Sequence, residues 1–277
     1  MKKLNIYIIA VMFISVGLSS CRKAFDPKSY APPLSVGGYT SVKEIAKENL
    51  VAYWSFDGNL IDSVSGSAGT ATGTTFGTGF ERQALQGALH SYALADVPAA
   101  VASMKSFTVT EWYNSAPPGS GIIGIFTLSK SSAFWGNIEV FFENGSTNDN
   151  GKVRIHIANG ETDNTLAVDN LQNLFNKWVN LAVSYDGATS IATLYINGSK
   201  VSSGTVGGLT GNLTFNNVGK MAFGCVQFQT SPSLTSATGA QDWASYLTGQ
   251  IDEVRIYNKA LTDSQVGAII GLEGRGK

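Results

Sequence analysis

The sequence predicts an all-β fold, and three observations lead to it. The chain of 277 residues contains 31 glycines, which supply turn geometry and weaken helices. Only 14% of the residues are charged, against roughly 25% in typical soluble domains, so Ser, Thr, Asn and Gly must cover much of the surface. Most periodic segments alternate apolar and polar residues, as strands do. The length suits one large all-β domain or two small ones.

The first 20 residues predict an export signal. A basic start at Lys2 and Lys3 precedes an apolar run over residues 6–18, which has the length of a signal-peptide core and is too short to span a bilayer comfortably. The run closes on Leu18-Ser19-Ser20-Cys21, which resembles the lipobox of bacterial lipoproteins. This resemblance implies cleavage before Cys21 and lipidation of that cysteine. A membrane-spanning anchor is the alternative.

Lipidation would hold the mature protein on a membrane. Several acyl chains on Cys21 anchor a protein stably, whereas a single chain gives only marginal membrane binding. Arg22, rather than Asp, follows the cysteine, and in lipoproteins of this type that residue indicates delivery to the outer membrane. The sequence leaves open whether the domain faces the periplasm or the outside. Without Lys2 and Lys3 the chain has 17 basic and 20 acidic residues, a net charge of −3, so no nucleic-acid partner is predicted.

A tether is predicted for residues 21–48, followed by one domain over residues 49–277. Pro27, Pro32 and Pro33 lie in a stretch without periodicity, as expected of an extended linker. Residues 41–49 are long enough for one or two helical turns.

The second cysteine, Cys225, is predicted to be a buried thiol. It lies in the apolar run 221–226 and has no partner once Cys21 is acylated. This setting favours a small buried hydrophobe over a reactive thiol. With two cysteines, a disulfide-rich scaffold is excluded.

Alternation predicts a series of strands after the tether. In the first of them Leu50, Ala52, Trp54 and Phe56 share one face. Asn197-Gly198 offers the two positive-φ positions of a type I′ turn, which predicts a hairpin between two later strands. The predicted strands cover residues 50–56, 107–113, 122–128, 138–142, 153–157, 178–185, 191–197, 200–205, 220–228 and 250–257.

A helix is predicted only near the C-terminus. Thr262-Asp263-Ser264-Gln265 fits a capping box, in which the first side chain caps the helix and the fourth reaches back. Val266, Ile269 and Ile270 then lie on one face. No repeat of fixed period appears, so propellers and solenoids are disfavoured.

Three segments in order resemble a LamG-type domain of the concanavalin A-like lectin/glucanase group. They are LVAYWSFDGNLIDSVSG at residues 50–66, WVNLAVSYDGATSIATLYINGSKV at 178–201 and GQIDEVRIYNKALTDSQV at 249–266. The resemblance covers residues 50–272 and implies a jelly-roll sandwich of two curved antiparallel sheets with a short C-terminal helix. Trp54, Trp112 and Trp178 are then expected inside the sandwich.

The same resemblance implies a structural calcium ion. Asp252 is expected on one strand face with Val254 and Ile256, at the end of an apolar row where an ionised carboxylate must be compensated. In related domains a calcium ion commonly bridges this acid and an acid after the first strand, which here is Asp57. Asp57 and Asp252 are therefore the expected ligands, with Gly87 offering a carbonyl. Turn capping by the two acids is the alternative.

Catalysis has weaker support. The glucanases of this fold place two acids on one strand in an E-x-D-x-x-E or E-x-D-x-E pattern, and the nearest match, Glu139 to Glu143, has Phe141 in the middle. A retaining pair needs carboxyl groups about 5 to 5.5 Å apart, whereas residues i and i+4 of a strand lie roughly 13 Å apart. Glu139 and Glu143 are therefore predicted to lie on a solvated sheet face.

The remaining polar candidates predict no catalytic or zinc site. Glu111, beside Trp112, has no second acid at pairing distance in sequence. His90 and His156 have no ligand at metal-binding spacing and are predicted to lie on surface strands.

Two loops predict sugar binding, because aromatic faces stack on sugars and amide or carboxylate groups bond their hydroxyls. One loop, 129–137, carries Trp135. The other, 227–246, is long for a sandwich loop, and such loops are often functional. It carries Gln241, Asp242, Trp243 and Tyr246. The alternative is that the two tryptophans fold back onto the core.

The leading hypothesis is a monomeric, membrane-anchored, non-catalytic module that binds a glycan. Two rival hypotheses stand beside it. A glycoside hydrolase of the same fold would require Glu139 or Glu143, and an adhesion module would bind a surface protein.

Overall fold

Two antiparallel sheets packed face to face make up the protein, as the computed structural model describes it for residues 35–276. The predicted signal segment and Cys21 lie outside these residues. The strands are β1 (Leu50–Trp54), β2 (Thr70–Thr72), β3 (Thr75–Thr78), β4 (Gln83–Gln86), β5 (Tyr92–Ala95), β6 (Phe107–Asn114), β7 (Ile122–Lys130), β8 (Ile138–Phe142), β9 (Gly151–Asn159), β10 (Thr162–Leu171), β11 (Trp178–Asp186), β12 (Ile191–Ile196), β13 (Ser199–Thr205), β14 (Val218–Phe223), β15 (Ala244–Ser245) and β16 (Gln250–Tyr257).

The first sheet has the order β13-β12-β11-β6-β16-β4-β3, and β1 also pairs with β16. The second sheet has the order β10-β9-β8-β7-β14-β5-β2, and β15 adds a short parallel pairing to β7. This is the predicted all-β sandwich. The helical content of the described residues consists of α1 (Ala99–Ala102), α2 (Asp263–Glu273) and single turns at Val42–Glu44, Lys47–Asn49 and Gln227–Gln229.

The hydrophobic core lies between the sheets, where alternate residues of each strand point inward. Trp54 is buried there against Phe223, with ring centroids 5.1 Å apart, as predicted. Trp112 does not join the core. On β6 Val109 and Tyr113 point inward, so Trp112 points outward, where it is stacked on Phe80.

Trp178, at the start of β11, is only half-buried and packs edge-on against Phe80, not in the core. The expectation that it lies inside was therefore wrong.

Helix α2 and the N-terminal segment cover the outer face of the first sheet. Thr262 accepts from the backbone N–H of Gln265, whose side chain accepts in return from Thr262 N–H, which confirms the predicted capping box. Val42 and Ile45 are buried in the same small apolar cluster as Ile269. Apolar side chains within the predicted tether therefore pack against the domain, because the outer face of the sheet gives them a surface to bury.

The hairpin at Asn197-Gly198 is confirmed, with φ of 49° and 78° at the two turn residues and β12 paired to β13. The predicted strand 220–228 is shorter than expected. It ends at Phe223, because Gly224 has a φ of 91° and the chain turns away from the sheet. No helix among residues 35–276 combines the length and apolarity needed to span a membrane.

Candidate functional site

The outer face of the second sheet is covered by two segments, residues 131–137 between β7 and β8, and residues 224–247 after β14. Ile138, Val140 and Phe142 of β8 point into the core, so Glu139 and Phe141 point outward beneath these segments. The register places His156 of β9 directly opposite Glu139 on the same face.

Five aromatic rings form a continuous cluster on this face, and we call it the aromatic platform. Trp135 is stacked on Phe141, with centroids 5.2 Å apart and planes 2° apart. Trp243 lies nearly parallel to Phe134 at 6.1 Å and tilted against Trp135 at 6.3 Å. The platform comprises Phe134, Trp135, Phe141, Phe228 and Trp243.

Trp243 is the outermost ring of the platform, with 45% of its surface exposed, whereas Phe141 and Phe228 are buried. The two sequence-predicted tryptophans are therefore brought together. Trp135 fills the space between the sheet and the cover, and Trp243 presents a ring to solvent.

The buried side chain of Gln229 holds the turn that carries Trp243. Its Oε1 accepts from Gln241 N–H at 2.7 Å, and its Nε2 donates to the Ala244 carbonyl at 2.7 Å. The Trp243 carbonyl also accepts from Ile122 N–H at 3.0 Å, which ties the turn to the start of β7. These hydrogen bonds therefore fix the backbone on both sides of Trp243, which holds its exposed ring in place.

Gln227 holds the other covering segment. Its Nε2 donates to the carbonyls of Ala133 and Phe134 at 2.7 and 3.0 Å, and its Oε1 accepts from Lys130 N–H at 2.8 Å. The two glutamines were missed in the sequence: Gln227 lies in the predicted strand 220–228, and Gln229 follows it in the predicted loop 227–246. The available signal was a pair of amides flanking Phe228 in an otherwise apolar run.

The other predicted ligand-binding residues have different roles. Asp242 is exposed next to Trp243. Gln241 uses its Nε2 within its own turn, donating to Thr238 Oγ1 at 2.8 Å. Tyr246 is buried and donates to the Gln229 carbonyl at 2.7 Å, so it supports the turn from behind.

Glu139 is fully buried, which corrects the prediction of a solvated sheet face. Its Oε1 accepts from Gln227 N–H at 2.8 Å, so the carboxyl helps to hold the cover of the platform. Burial raises its pKa to about 7, although bonds from the backbone of Gln227 and Gly136 oppose the rise. Glu143 instead pairs with Arg154 at 3.2 Å. The two acids therefore do not face a common cleft.

His156 is also buried rather than on a surface strand. Its Nδ1 lies 3.0 Å from Thr165 Oγ1, and its ring lies beside Trp135 at 5.6 Å. Burial lowers its pKa to about 4, so the ring is neutral at physiological pH. His90 is exposed, as predicted for a surface residue, although it lies in a turn rather than a strand.

Cys225 is completely buried, as predicted, and burial raises the pKa of its thiol.

The predicted calcium ligands lie on the first sheet. A bulge in β16, with Glu253 at a φ of 52°, turns Asp252 away from Val254 and places it opposite Trp112 on the outer face. Asp252 was thus expected on the wrong face. Its Oδ2 accepts from Glu81 N–H at 2.9 Å, and burial raises its pKa to about 8, with the Asp57 carboxylate adding to the rise.

Asp57 lies beside the same loop, where its Oδ2 pairs with Arg82 at 2.7 Å. Gly87 does not join the two acids, because it lies at the other end of β4 and donates to the Gly249 carbonyl. A Cβ at Gly79 would lie 2.6 Å from Asp252 Oδ2, from the Glu81 carbonyl oxygen and from the Gln83 carbonyl carbon, so this loop packs closely around the Asp252 carboxylate. Within residues 35–276, no set of three or more His, Cys, Asp and Glu side chains forms a metal site.

The model of the concanavalin A-like lectin/glucanases superfamily matches residues 86–267. No curated protein sequence matches the chain.

Solved structures with a similar fold include domains of toxins and of a polysaccharide-degrading enzyme. The binding domain of Paraclostridial Mosquitocidal Protein 1 aligns with a TM-score of 0.60 and 14% identity, over 81% of this chain and 52% of that one. The binding domain of botulinum neurotoxin DC in complex with SialylT aligns with a TM-score of 0.58 and 13% identity, over 83% and 52%. This chain therefore spans about half the length of the toxin domains.

Domain 4 of AbnA, an extracellular arabinanase from Geobacillus stearothermophilus, in complex with arabinotriose, aligns over 80% of this chain and 98% of its own length. The TM-score is 0.52 and the identity 21%. At these identities the similarity establishes a shared fold.

Proposed function

Because the chain belongs to the concanavalin A-like lectin/glucanases superfamily, we propose that it is a non-catalytic module that binds a glycan through the aromatic platform. The observation that carries the proposal is the half-exposed ring of Trp243, fixed by Gln229 beside the exposed carboxylate of Asp242. An aromatic face supplies apolar contact for the C–H surface of a sugar, and a carboxylate accepts bonds from hydroxyl groups.

The proposal draws support from the fold. Domain 4 of the arabinanase was solved with arabinotriose, and a neurotoxin binding domain, about half of which aligns with this chain, was solved with SialylT. A protein ligand is the alternative, since a similar neurotoxin domain was solved with rat synaptotagmin II.

Trp243→Ala is expected to weaken glycan binding at least tenfold, because loss of a stacked indole removes more than about 1.4 kcal/mol of contact. A glycan array followed by calorimetry measures the effect. Leu89→Ala is the matched control, because Leu89 is exposed in a different loop. If Trp243→Ala binds the glycan as tightly as wild type does, the platform is refuted as the binding site.

We further propose that Cys21 anchors the module in the outer membrane by lipidation, as the lipobox resemblance implies. Cells that express the protein are expected to incorporate labelled palmitate into it. The Cys21→Ser variant should incorporate none, whereas Cys225→Ser should be labelled like wild type. Equal labelling of the Cys21→Ser variant would contradict the proposal.

We also propose that the loop around Gly79 binds a structural calcium ion. Asp252 and the Glu81 carbonyl would hold it, with Asp57 joining if Arg82 moves aside. Asp57, Glu81 and Arg82 line a cleft of about 670 Å³, so the loop is reachable from solvent. A bound cation would offset the negative charge that the two acids share.

Calcium at one hundred times its Kd is expected to raise Tm by about 5 °C or more relative to EDTA, since a ligand of the folded state adds about 2.7 kcal/mol at that excess. Asp252→Asn should remove the difference, and Arg82→Ala should strengthen calcium binding by freeing Asp57. Glu48→Gln, at an exposed acid, serves as the control. Identical Tm values in calcium and EDTA would refute the site.

A further inference from the structure

Acidic residues outnumber basic ones in the segments that form and flank the aromatic platform. The covering segment 224–247 carries a single charged residue, Asp242, which is exposed beside Trp243. Over residues 122–171, which span β7 to β10, the bases are Lys130, Lys152 and Arg154, and the acids are Glu139, Glu143, Asp149, Glu161, Asp163 and Asp169. Without the buried Glu139, six acids face three bases in these segments, so their net charge is negative.

Two of these bases are already paired. Arg154 lies between Glu143 at 3.2 Å and Asp169 at 2.8 Å. Lys130 is buried, and its Nζ donates to the Gly160 carbonyl at 2.8 Å. Neither side chain is therefore available to an anionic ligand without breaking a bond that it makes within the protein.

Lys152 is the third of these bases. It lies four residues along β9 from His156, the residue beside Trp135, and strand geometry separates the two by roughly 13 Å. If an acidic sugar stacks on Trp243, its carboxylate is therefore expected to lie closer to Asp242 than to a basic side chain.

We propose that the platform selects uncharged oligosaccharides and rejects sugars that carry a carboxylate or sulfate. This inference rests on the proposed glycan-binding function and specifies its ligand class. The Asp242 carboxylate can only accept hydrogen bonds while ionised, so it pairs with neutral hydroxyl groups and repels an anion.

The test is calorimetry at low salt with matched pairs of ligands on the intact domain. Suitable pairs are galactotetraose with tetragalacturonate, lactose with sialyllactose, and a xylo-oligosaccharide with its glucuronosyl-substituted form. For the pair whose neutral member binds, the acidic member is expected to bind at least tenfold more weakly. Added NaCl should reduce the ratio of neutral to acidic ligand affinity, because salt screens repulsion between exposed charges.

Asp242→Asn removes the charge and should reduce the neutral-to-acidic ratio severalfold, whereas Glu48→Gln should leave it unchanged. Acidic members that bind as tightly as neutral ones, with Trp243 still required, would overturn the inference and leave the proposed function standing. Binding of no glycan at all would refute the proposed function and the inference with it.

Discussion

Arg255→Met is expected to lower the free energy of unfolding by about 3 to 5 kcal/mol, because it leaves buried carboxylates without their counter-charge. Arg255 is buried on the outer face of the first sheet. Its guanidinium bonds Glu253 Oε2 at 2.6 Å and also Glu273 Oε1, and it lies 4.2 Å from the centre of the Tyr53 ring. Trp112 Nε1 donates to Glu273 at 2.7 Å, so the network joins α2 to two strands.

The cost of Arg255→Met should grow with pH. Burial raises the pKa of Glu273 to about 7 even though the Arg255 guanidinium lowers it. Without Arg255 this folded-state pKa rises further above the unfolded value of 4.5. In both proteins stability falls as pH rises above about 4.5. The fall ends near pH 7 in wild type, where Glu273 ionises, but continues to higher pH in the variant, so the cost grows above about pH 7.

Urea denaturation at pH 5 and pH 8 measures both effects. Arg82→Ala is the control, because Arg82 also pairs with an acid, Asp57, but its side chain is 77% exposed. That variant is expected to lose less than about 1 kcal/mol. A loss of similar size in the two variants would show that the buried network adds little to stability.

Glu111→Leu is expected to stabilise the protein at alkaline pH. Glu111 points into the core from β6, with Val109 and Tyr113 on the same face, and its carboxyl oxygens bond no group in the described part of the chain. Burial raises its pKa to about 8. The carboxyl is therefore protonated in the folded protein at neutral pH, whereas it is ionised in the unfolded chain.

This difference in protonation makes the wild-type protein less stable as pH rises. A folded-state pKa above the unfolded value of 4.5 costs nothing at low pH and destabilises increasingly between pH 4.5 and 8. The full penalty is about 3 to 5 kcal/mol at about 1.4 kcal/mol per pKa unit. The leucine substitution also removes an unbonded polar group from the core, so it is expected to raise the free energy of unfolding slightly at every pH.

Denaturation of wild type and Glu111→Leu at pH 4.5 and 8.5 tests the effect. The difference in stability between the two proteins should grow by about 3 to 5 kcal/mol across this range. Glu48→Gln, at an exposed acid, should follow wild type. A constant difference between wild type and Glu111→Leu would mean that Glu111 ionises normally in the folded state.

The aromatic platform was accessible from sequence only in part. Trp135 and Trp243 were both candidates because each lies in a loop with polar neighbours, yet 107 residues separate them in the chain. Their meeting depends on the cover of the second sheet, which Gln227 and Gln229 hold in place. Side chains that bond distant backbone leave no periodic pattern.

Local chemistry in the sequence determined the central strands, the turn at Asn197-Gly198 and the cap at Thr262, whereas the sandwich followed from the family resemblance. The first three features follow from alternation, backbone preference and short-range hydrogen bonds, which neighbouring residues specify. Tertiary structure alone decided which face each polar residue takes. The bulge at Glu253 reverses Asp252, and the covering segments bury Glu139 and His156. One extra residue or one covering loop changes the surroundings of a side chain without changing the local pattern, so long-range contacts determine the site.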